Sequence, residues 1–324
     1  MVNRSNGTLQ KPLNSMKVLV TGGAGFIGSH VADTLIGAGH TVHLLDNLTS
    51  GKRSNIPRTA ILHELDVRAP ETAELMRRER YDALVHHAAQ MDVRRSVADP
   101  LFDANVNILG LINLMEAGRQ SGLGKVVFAS TGGAIYGEPE SGPQPENYPQ
   151  QPVSPYGITK LTSEKYLAFY EHQYGIPYMA LRYGNVYGPR QNPHGEAGVV
   201  AIFAQRILDG TSVTINGDGR QTRDYVYVSD VARANLAALA CDAPSTALNI
   251  GTGVETDVLA VYEGLSNALG LSVRVRHAPA KPGEQKRSIL DCTAAKQVLN
   301  WTPEVAVPQG LALTGHWFSS NWSP

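Results

Sequence analysis

Cysteine is scarce: 324 residues carry only Cys241 and Cys292. Two such residues make neither a disulfide framework nor the paired-ligand spacing of a structural zinc site, so a reducing, cytoplasmic setting is the plain reading. Net charge is also nearly absent, at -1 from 28 basic and 29 acidic side chains. No basic surface is advertised, and nucleic acid is excluded as an expected partner. No apolar run approaches the roughly 20 residues of a membrane span, which excludes a membrane partner of that kind. Residues 1–15 are polar and lack the apolar centre of a secretory signal, so they read as a disordered leader or cloning remnant. Internal repeats and low-complexity tracts are missing too. What remains, 42% hydrophobic and 18% charged, is ordinary globular composition for two fused domains or one large one.

The first half alternates short apolar runs with longer helix-compatible stretches. Lys17–Thr21, Thr41–Leu45, Ala60–His63, Asp82–His86 and Lys125–Ala129 read as buried strands. A helix is expected from about Phe26 to Ala38. Strands of this kind separated by helices imply a parallel sheet with right-handed crossovers. The fold class is therefore α/β: a Rossmann-type doubly wound parallel sheet, expected over residues 16–182. After Arg182, Pro, Gly and Asn become frequent, and a smaller mixed α/β domain is expected over 183–324. That domain is discontinuous, with segments returning to the first sheet. Helical spacing over Leu101–Gln120 and Tyr156–Tyr174 offers either a homodimer face or a simple cover for the sheet.

Thr21-Gly-Gly-Ala-Gly-Phe-Ile-Gly28 lies between the first strand and the first helix. Gly22, Gly25 and Gly28 permit a tight turn, backbone approach to a pyrophosphate and close helix–sheet contact. The helix that opens at Phe26 and Ile27 adds unpaired N–H groups and a partial positive charge. Asp46 ends the next strand, 18 positions after Gly28. A carboxylate there accepts both ribose hydroxyls and repels a 2′-phosphate, favouring NAD over NADP. Asp66 and Val67, after the third strand, are placed to hold the adenine amine, although Asp66 equally suits a turn. Ala88 and Ala89 follow the fourth strand with side chains small enough for a cofactor to lie against the sheet edge. His86 and His87 precede them without companions at metal-ligand spacing, so no metal is expected.

Tyr156 and Lys160 stand one helical turn apart on one face. A phenol with a reference pKa of about 10 is a poor base at neutral pH, and a neighbouring ammonium together with a positive nicotinamide ring is expected to lower it. Tyr156 would then accept a proton from a substrate hydroxyl. Thr131, near the end of the fifth strand, is placed to hold the same oxygen. Counting back from Tyr136 instead puts that position at Gly132. Asn107 suits local backbone support, a water relay or a helix-surface amide.

These segments resemble the extended short-chain dehydrogenase/reductase superfamily. Within it the chain is most similar to the UDP-glucose (galactose) 4-epimerase family. The likeness rests on the glycine turn, Leu-Asp46-Asn47-Leu-Thr-Ser-Gly, Tyr136-Gly137, Tyr156-Gly-Ile-Thr-Lys160, Leu-Arg182-Tyr183-Gly-Asn185-Val-Tyr-Gly-Pro-Arg190, Gly217-Asp-Gly-Arg-Gln-Thr-Arg223-Asp-Tyr-Val and Pro282-Gly283-Glu284. It implies a catalytic group of Thr131, Tyr156 and Lys160. It also adds Asn47, Asn107 and Tyr183 to the residues about the cofactor, and sets Asn185 and Arg223 on the nucleotide diphosphate. Lys281 replaces an arginine usual before Pro-Gly-Glu, and Gly184 replaces a bulkier apolar residue. Ser288 lies where the family varies residue size near the sugar's 2-substituent, so room for an N-acetyl group competes with a surface-loop serine.

The implied reaction is reversible oxidation at C4 of a UDP-hexose by bound NAD, with rotation of the 4-keto sugar. Related 4,6-dehydratases carry an acidic pair after the threonine, and decarboxylases a glutamate in that loop. Gly132-Gly133-Ala134-Ile135 offers neither. A catalytically silent NAD-sensing module, which commonly loses the Tyr or the Lys, is the reading of a different class.

Overall fold

The computed structural model describes residues 15–139, 141–194, 198–280 and 285–322; apart from Ser15, the expected leader lies outside them. Twelve strands run among the described residues: β1 Lys17–Thr21, β2 Thr41–Leu45, β3 Ile61–His63, β4 Ala83–His86, β5 Lys125–Thr131, β6 Tyr178–Tyr183, β7 Asn185–Tyr187, β8 Val213–Asn216, β9 Thr222–Tyr227, β10 Thr246–Ile250, β11 Glu255–Asp257 and β12 Val275–Ala278. The helices that matter for the site are α1 Phe26–Gly37, α2 Pro70–Glu79, α3 Val93–Ala98, α4 Pro100–Ala104, α5 Gly110–Ser121, α6 Gly132–Ile135, α7 Pro155–Tyr174, α8 Val199–Leu208 and α9 Val228–Ala240.

Seven strands form one parallel sheet in the order β10-β6-β5-β4-β1-β2-β3. Strand order reverses between β1 and β4, and the cleft of such a sheet lies outside the carboxyl ends of its strands at that point. Both faces are covered, which explains why the strands read as near-continuous apolar runs rather than alternating ones. On one face, Val18, Val20, Val85, Val127 and Leu181 meet Val31 and Leu35 of α1 and Val231 and Leu239 of α9. On the other, Leu19, Leu84, Val126 and Phe128 meet Met76 of α2, Leu111, Leu114 and Met115 of α5, and Leu167 of α7.

β10 pairs with β6, so the chain leaves the sheet after Tyr183, builds β7–β9, and returns through α9. The smaller layer comprises the mixed sheet β11-β9-β7 and the pair β12-β8. Its core gathers Phe203 and Ile207 of α8 with Tyr187, Ile215, Tyr225 and Val261.

One expected element is divided. The helix read over Leu101–Gln120 is α4, a five-residue π-helical segment at Asn105–Leu109, and α5. The widened turn carries Asn107, whose amide is drawn inward by four hydrogen bonds described below.

The sheet edge nearest the cleft is fastened by a buried ion pair. Arg182 of β6 donates to both carboxylate oxygens of Glu164 on α7, at 3.0 and 2.7 Å. It also donates to the Tyr136 hydroxyl at 2.9 Å and the Glu146 carbonyl at 3.0 Å. Ser130 of β5 donates to Glu164 at 2.5 Å. Removing one member leaves a buried charge without its partner. Arg182→Leu is therefore expected to destabilise the protein by about 3–5 kcal/mol, read as a lower urea midpoint at unchanged slope. A loss below about 1 kcal/mol would mean that the pair is solvated.

Candidate active site

Gly22 holds φ +65°, and a Cβ there would come within 2.8 Å of the Ala88 backbone nitrogen. A Cβ at Gly28 would lie 2.2 Å from the Gly22 carbonyl oxygen. The turn therefore closes only with glycine at both positions, bringing the first turn of α1 against the ends of β1 and β4. Gly25 caps α1 with no side-chain hydrogen bond. The amides of Phe26, Ile27 and Gly28 thus have no intrahelical acceptor, a geometry suited to phosphate oxygens.

Asp46 is buried just past β2. Its oxygens accept the Leu48 amide at 2.8 Å and the Ala24 amide at 3.0 Å, each leaving lone pairs for a ligand. Gly51 clears its face, since a Cβ there would sit 2.7 Å from Asp46 Oδ1. An uncapped helix start beside a buried carboxylate kept clear by a glycine fits the diphosphate and ribose of NAD.

Asp66 is more committed than its expected adenine role requires. Arg68 donates to both of its oxygens at 2.8 Å, and Asn47 donates at 2.9 Å. The Arg68 contact holds its carboxyl well below the usual range. Val67 is buried where Gly110 of α5 would carry a Cβ, 2.7 Å from its Cγ2. Ala88 and Ala89 are partly open beside the glycine turn. Thr21 joins the two ends: its hydroxyl meets His86 Nδ1 at 2.7 Å and accepts the Ala88 amide at 3.1 Å. Burial, then the charge of Lys160, pushes both His86 and His87 down to about 3, so both are neutral. His87 Nε2 lies 3.1 Å from the Tyr183 hydroxyl, which also accepts from Asn235 at 2.8 Å. The Tyr183 side chain is thus occupied within the fold, and its backbone is in register between Thr131 of β5 and Ile250 of β10.

At the carboxyl end of β5, Thr131 is the hydrogen-bonding neighbour of Tyr156. Of the two positions counted from the sequence, Thr131 places a hydroxyl beside the phenol and Gly132 has none. Gly132 is fixed for another reason, since a Cβ there would strike Leu290 Cδ1 at 2.6 Å. Ser154 caps α7 by accepting the Gly157 amide at 3.2 Å, and Pro155 occupies its first turn. Lys160 is 3% exposed. It donates to the Ala129 carbonyl at 2.8 Å and lies 4.8 Å above the Phe128 ring and 5.9 Å from the Tyr156 ring centroid.

The protein by itself, without the cationic ring on which the expected depression also depends, does not lower the Tyr156 pKa. Burial dominates, the charge of Asp103 adds to it, and the phenol is pushed up to about 12 despite Thr131. Burial likewise brings Lys160 down to about 8, opposed by Asp103 and Glu164.

Asn107 is 3% exposed and points inward, so it is not a surface amide. It accepts the Gln90 amide at 2.9 Å and donates to the Gln90 carbonyl at 3.0 Å, bracing the loop after Ala89. It also donates to Asp103 at 3.1 Å and Thr159 at 3.2 Å.

On the smaller layer, Asn185 of β7 lies opposite Tyr225 of β9, and its Oδ1 faces the space over Gly133. Arg223 spends one donor on the Thr222 carbonyl at 2.8 Å. Gly184 has a steric reason: a Cβ would meet the Asp224 carbonyl oxygen at 2.7 Å. Ser288 is 2% exposed and its amide donates to Thr222, so it is not a surface-loop serine. Lys281 lies outside the described residues.

The buried carboxylates that sequence reasoning missed include Asp224 and Asp103. Asp224 accepts the Thr252 amide and hydroxyl at 2.6 and 2.8 Å, the Gly253 amide at 3.0 Å and the Leu290 amide at 3.2 Å. It ties β9 to the loops that approach Gly132. Asp103 lies beneath α7. Neither stands in a recognisable spacing, and only the fold reveals their partners.

A glycine-closed phosphate turn, a ribose-side carboxylate and a tyrosine–lysine helix on one parallel sheet define a dinucleotide-dependent enzyme of the short-chain dehydrogenase/reductase type. The chain belongs to the NAD dependent epimerase/dehydratase family, whose model matches residues 18–251. It is 44% identical over 304 residues to a putative UDP-glucose 4-epimerase of Methanocaldococcus jannaschii, covering 94% of this chain and 99% of that one. The Thermotoga maritima UDP-glucose 4-epimerase with UDP-glucose superposes with a TM-score of 0.92 at 47% identity, covering 94% and 99% of the two chains. The Thermus thermophilus UDP-glucose 4-epimerase in complex with NAD gives 0.90 at 46% identity, covering 95% and 100%.

With the phenol at about 12, cofactor-free protein should lose no Tyr156 proton below about pH 10. Ultraviolet difference titration of wild type against Tyr156→Phe checks this. A midpoint near neutrality in that difference would contradict it.

Proposed function

We propose that this chain interconverts UDP-glucose and UDP-galactose by 4-epimerisation, with NAD as its bound cofactor. The observation that carries the reading is the pairing of Thr131 with Tyr156 beside a loop of Gly132, Gly133 and Ala134 that has no carboxyl. Eliminating water from a sugar needs a further acid and base, whereas oxidation and reduction at one carbon need only a group that takes and returns the hydroxyl proton.

Gly22, Gly25, Phe26, Ile27 and Gly28 hold the diphosphate of the dinucleotide, and Asp46 holds its adenosine ribose. When bound, NAD supplies a reversible two-electron oxidant for the sugar's C4 and a cationic ring. Thr131 and Tyr156 orient the C4 hydroxyl, and Tyr156 Oη exchanges its proton. Lys160 keeps a positive charge within reach of that phenol, which burial alone would leave inert. Asn185 and Arg223 anchor the UDP portion, joined by Lys281. Ser288 puts a small side chain near the sugar's 2-position, which supports acceptance of the N-acetylhexosamine pair as well.

The protein works as a cytoplasmic homodimer. Val97 and Leu101 of α3 and α4, 63% and 84% exposed, and Ile158 and Phe169 of α7, 50% and 47% exposed, leave an apolar face on adjacent helices.

Incubation of the purified protein with UDP-galactose should yield UDP-glucose without added reductant, resolved by NMR, and UDP-N-acetylglucosamine should likewise be turned over. A stable 4-keto-6-deoxy sugar would instead identify a dehydratase. Tyr156→Phe is expected to reduce kcat by about 10²- to 10⁴-fold while UDP-glucose binding is retained. An unchanged rate would remove Tyr156 from the chemistry. Joint replacement of Leu101 and Phe169 by Glu should give a monomer by light scattering; a monomeric wild type would end the dimer proposal.

A further inference from the structure

Asp103 is fully buried on α4, directly beneath α7. Its oxygens accept Gln90 Nε2 at 2.9 Å, Asn107 Nδ2 at 3.1 Å and the Thr159 hydroxyl at 2.8 Å. All three donors are neutral. Among the described residues no cation stands at ion-pair distance from this carboxylate. A carboxylate held this way in the interior is costly unless its charge answers another one.

The charges around it narrow the choice. On α3, Arg95 stacks its guanidinium 4.1 Å over Phe102, and Asp92 caps the helix through the Arg95 amide. On α7, the acidic group is Glu164, already engaged by both ends of the Arg182 guanidinium. At the ends of β4, His86 and His87 are neutral. Tyr156 is neutral in the protein alone. Among the described residues the remaining buried positive charge is Lys160, the next residue after Thr159, which donates to the uncharged Ala129 carbonyl.

We propose that Asp103 is a positioning residue that supplies the counter-charge for the Lys160 ammonium and, through Thr159, fixes the turn of α7 that presents Tyr156 and Lys160 together. The Thr159 hydroxyl lies 2.8 Å from Asp103 and 3.0 Å from the Tyr156 carbonyl, so one side chain links the carboxylate to the helix backbone under both groups. The π-helical segment serves the same end, because the widened turn brings Asn107 back onto Asp103, Gln90 and Thr159 at once. Asp103 thereby has two opposed effects. It favours the charged lysine, and it disfavours ionisation of the phenol. The cleft then holds a protonated Lys160 and a protonated Tyr156 until a cationic ligand shifts the balance.

The test follows Lys160 directly. Full-length protein labelled with ¹³C at the lysine Cε is titrated by NMR, and Lys160→Met identifies the resonance. A wild-type midpoint near 8 is expected. In Asp103→Asn, which keeps the shape but not the charge and presents an NH2 in place of one accepting oxygen, it should fall by at least about one pH unit. The lysine charge is present below its pKa, so the alkaline limb of kcat should move to lower pH by the same interval, with KM for UDP-glucose unchanged. An unchanged lysine midpoint in folded Asp103→Asn overturns the proposal and leaves Asp103 as a structural bolt. If that variant does not fold, the wild-type midpoint decides: near 8 it supports a counter-charge, and below about 6 it rules one out. The kinetic limb rests on the epimerase reading and the lysine titration does not, so failure of one is separable from failure of the other.

Discussion

Helix α7 meets the sheet through charge rather than apolar contact at the place where chemistry is expected. Lys160 is bonded to the Ala129 carbonyl and Glu164, one turn on, to Ser130 and Arg182. These contacts hold the helix to the last residues of β5 and β6, where Thr131 and Tyr183 sit opposite one another. Apolar packing by Leu167 secures the helix farther along, but cannot set its rotation with the same precision. The relation between Thr131 and Tyr156 depends on this rotation, and so does every role assigned to the phenol.

The same region shows why burial is useful despite its cost to an ionised group. Tyr156 and Lys160 are both displaced toward their neutral forms, the phenol upward and the ammonium downward. Water would erase such displacements, and with them the sensitivity of both groups to a nearby charge. A site of this kind responds strongly to a cationic ring and weakly to ionic strength. Its resting state keeps the proton on the phenol.

Most of the sheet was legible because parallel strands covered on both faces announce themselves as apolar runs. Lys17–Thr21 and Thr41–Leu45 have the expected bounds, and the glycine turn is explained by contacts that a Cβ would violate. The π-helical interruption after Ala104 was illegible, since Asn105–Leu109 itself contains no proline or glycine. Its cause is a set of contacts from Asn107 to Gln90 and Thr159, distant in sequence. Asp103 and Asp224 were missed for a related reason: a buried carboxylate is recognised by its donors, which come from separate loops and helices. Tyr183 illustrates the converse. A residue read as lying about the cofactor turns its hydroxyl to His87 and Asn235 within the fold.

The path of the chain after β6 has a consequence for how such a molecule is assembled and altered. Because β10 joins the edge of the large sheet between β9 and β11, the chain builds the smaller layer in separate visits, with β7 to β9 before β10 and β11 and β12 after it. A single cut near Tyr183 would strip an edge strand and α9 from one part and leave them stranded on the other. Recombination that trades one sugar-side layer for another must therefore preserve several junctions at once. This favours change within its loops, around Ser288 and Arg223, over wholesale exchange.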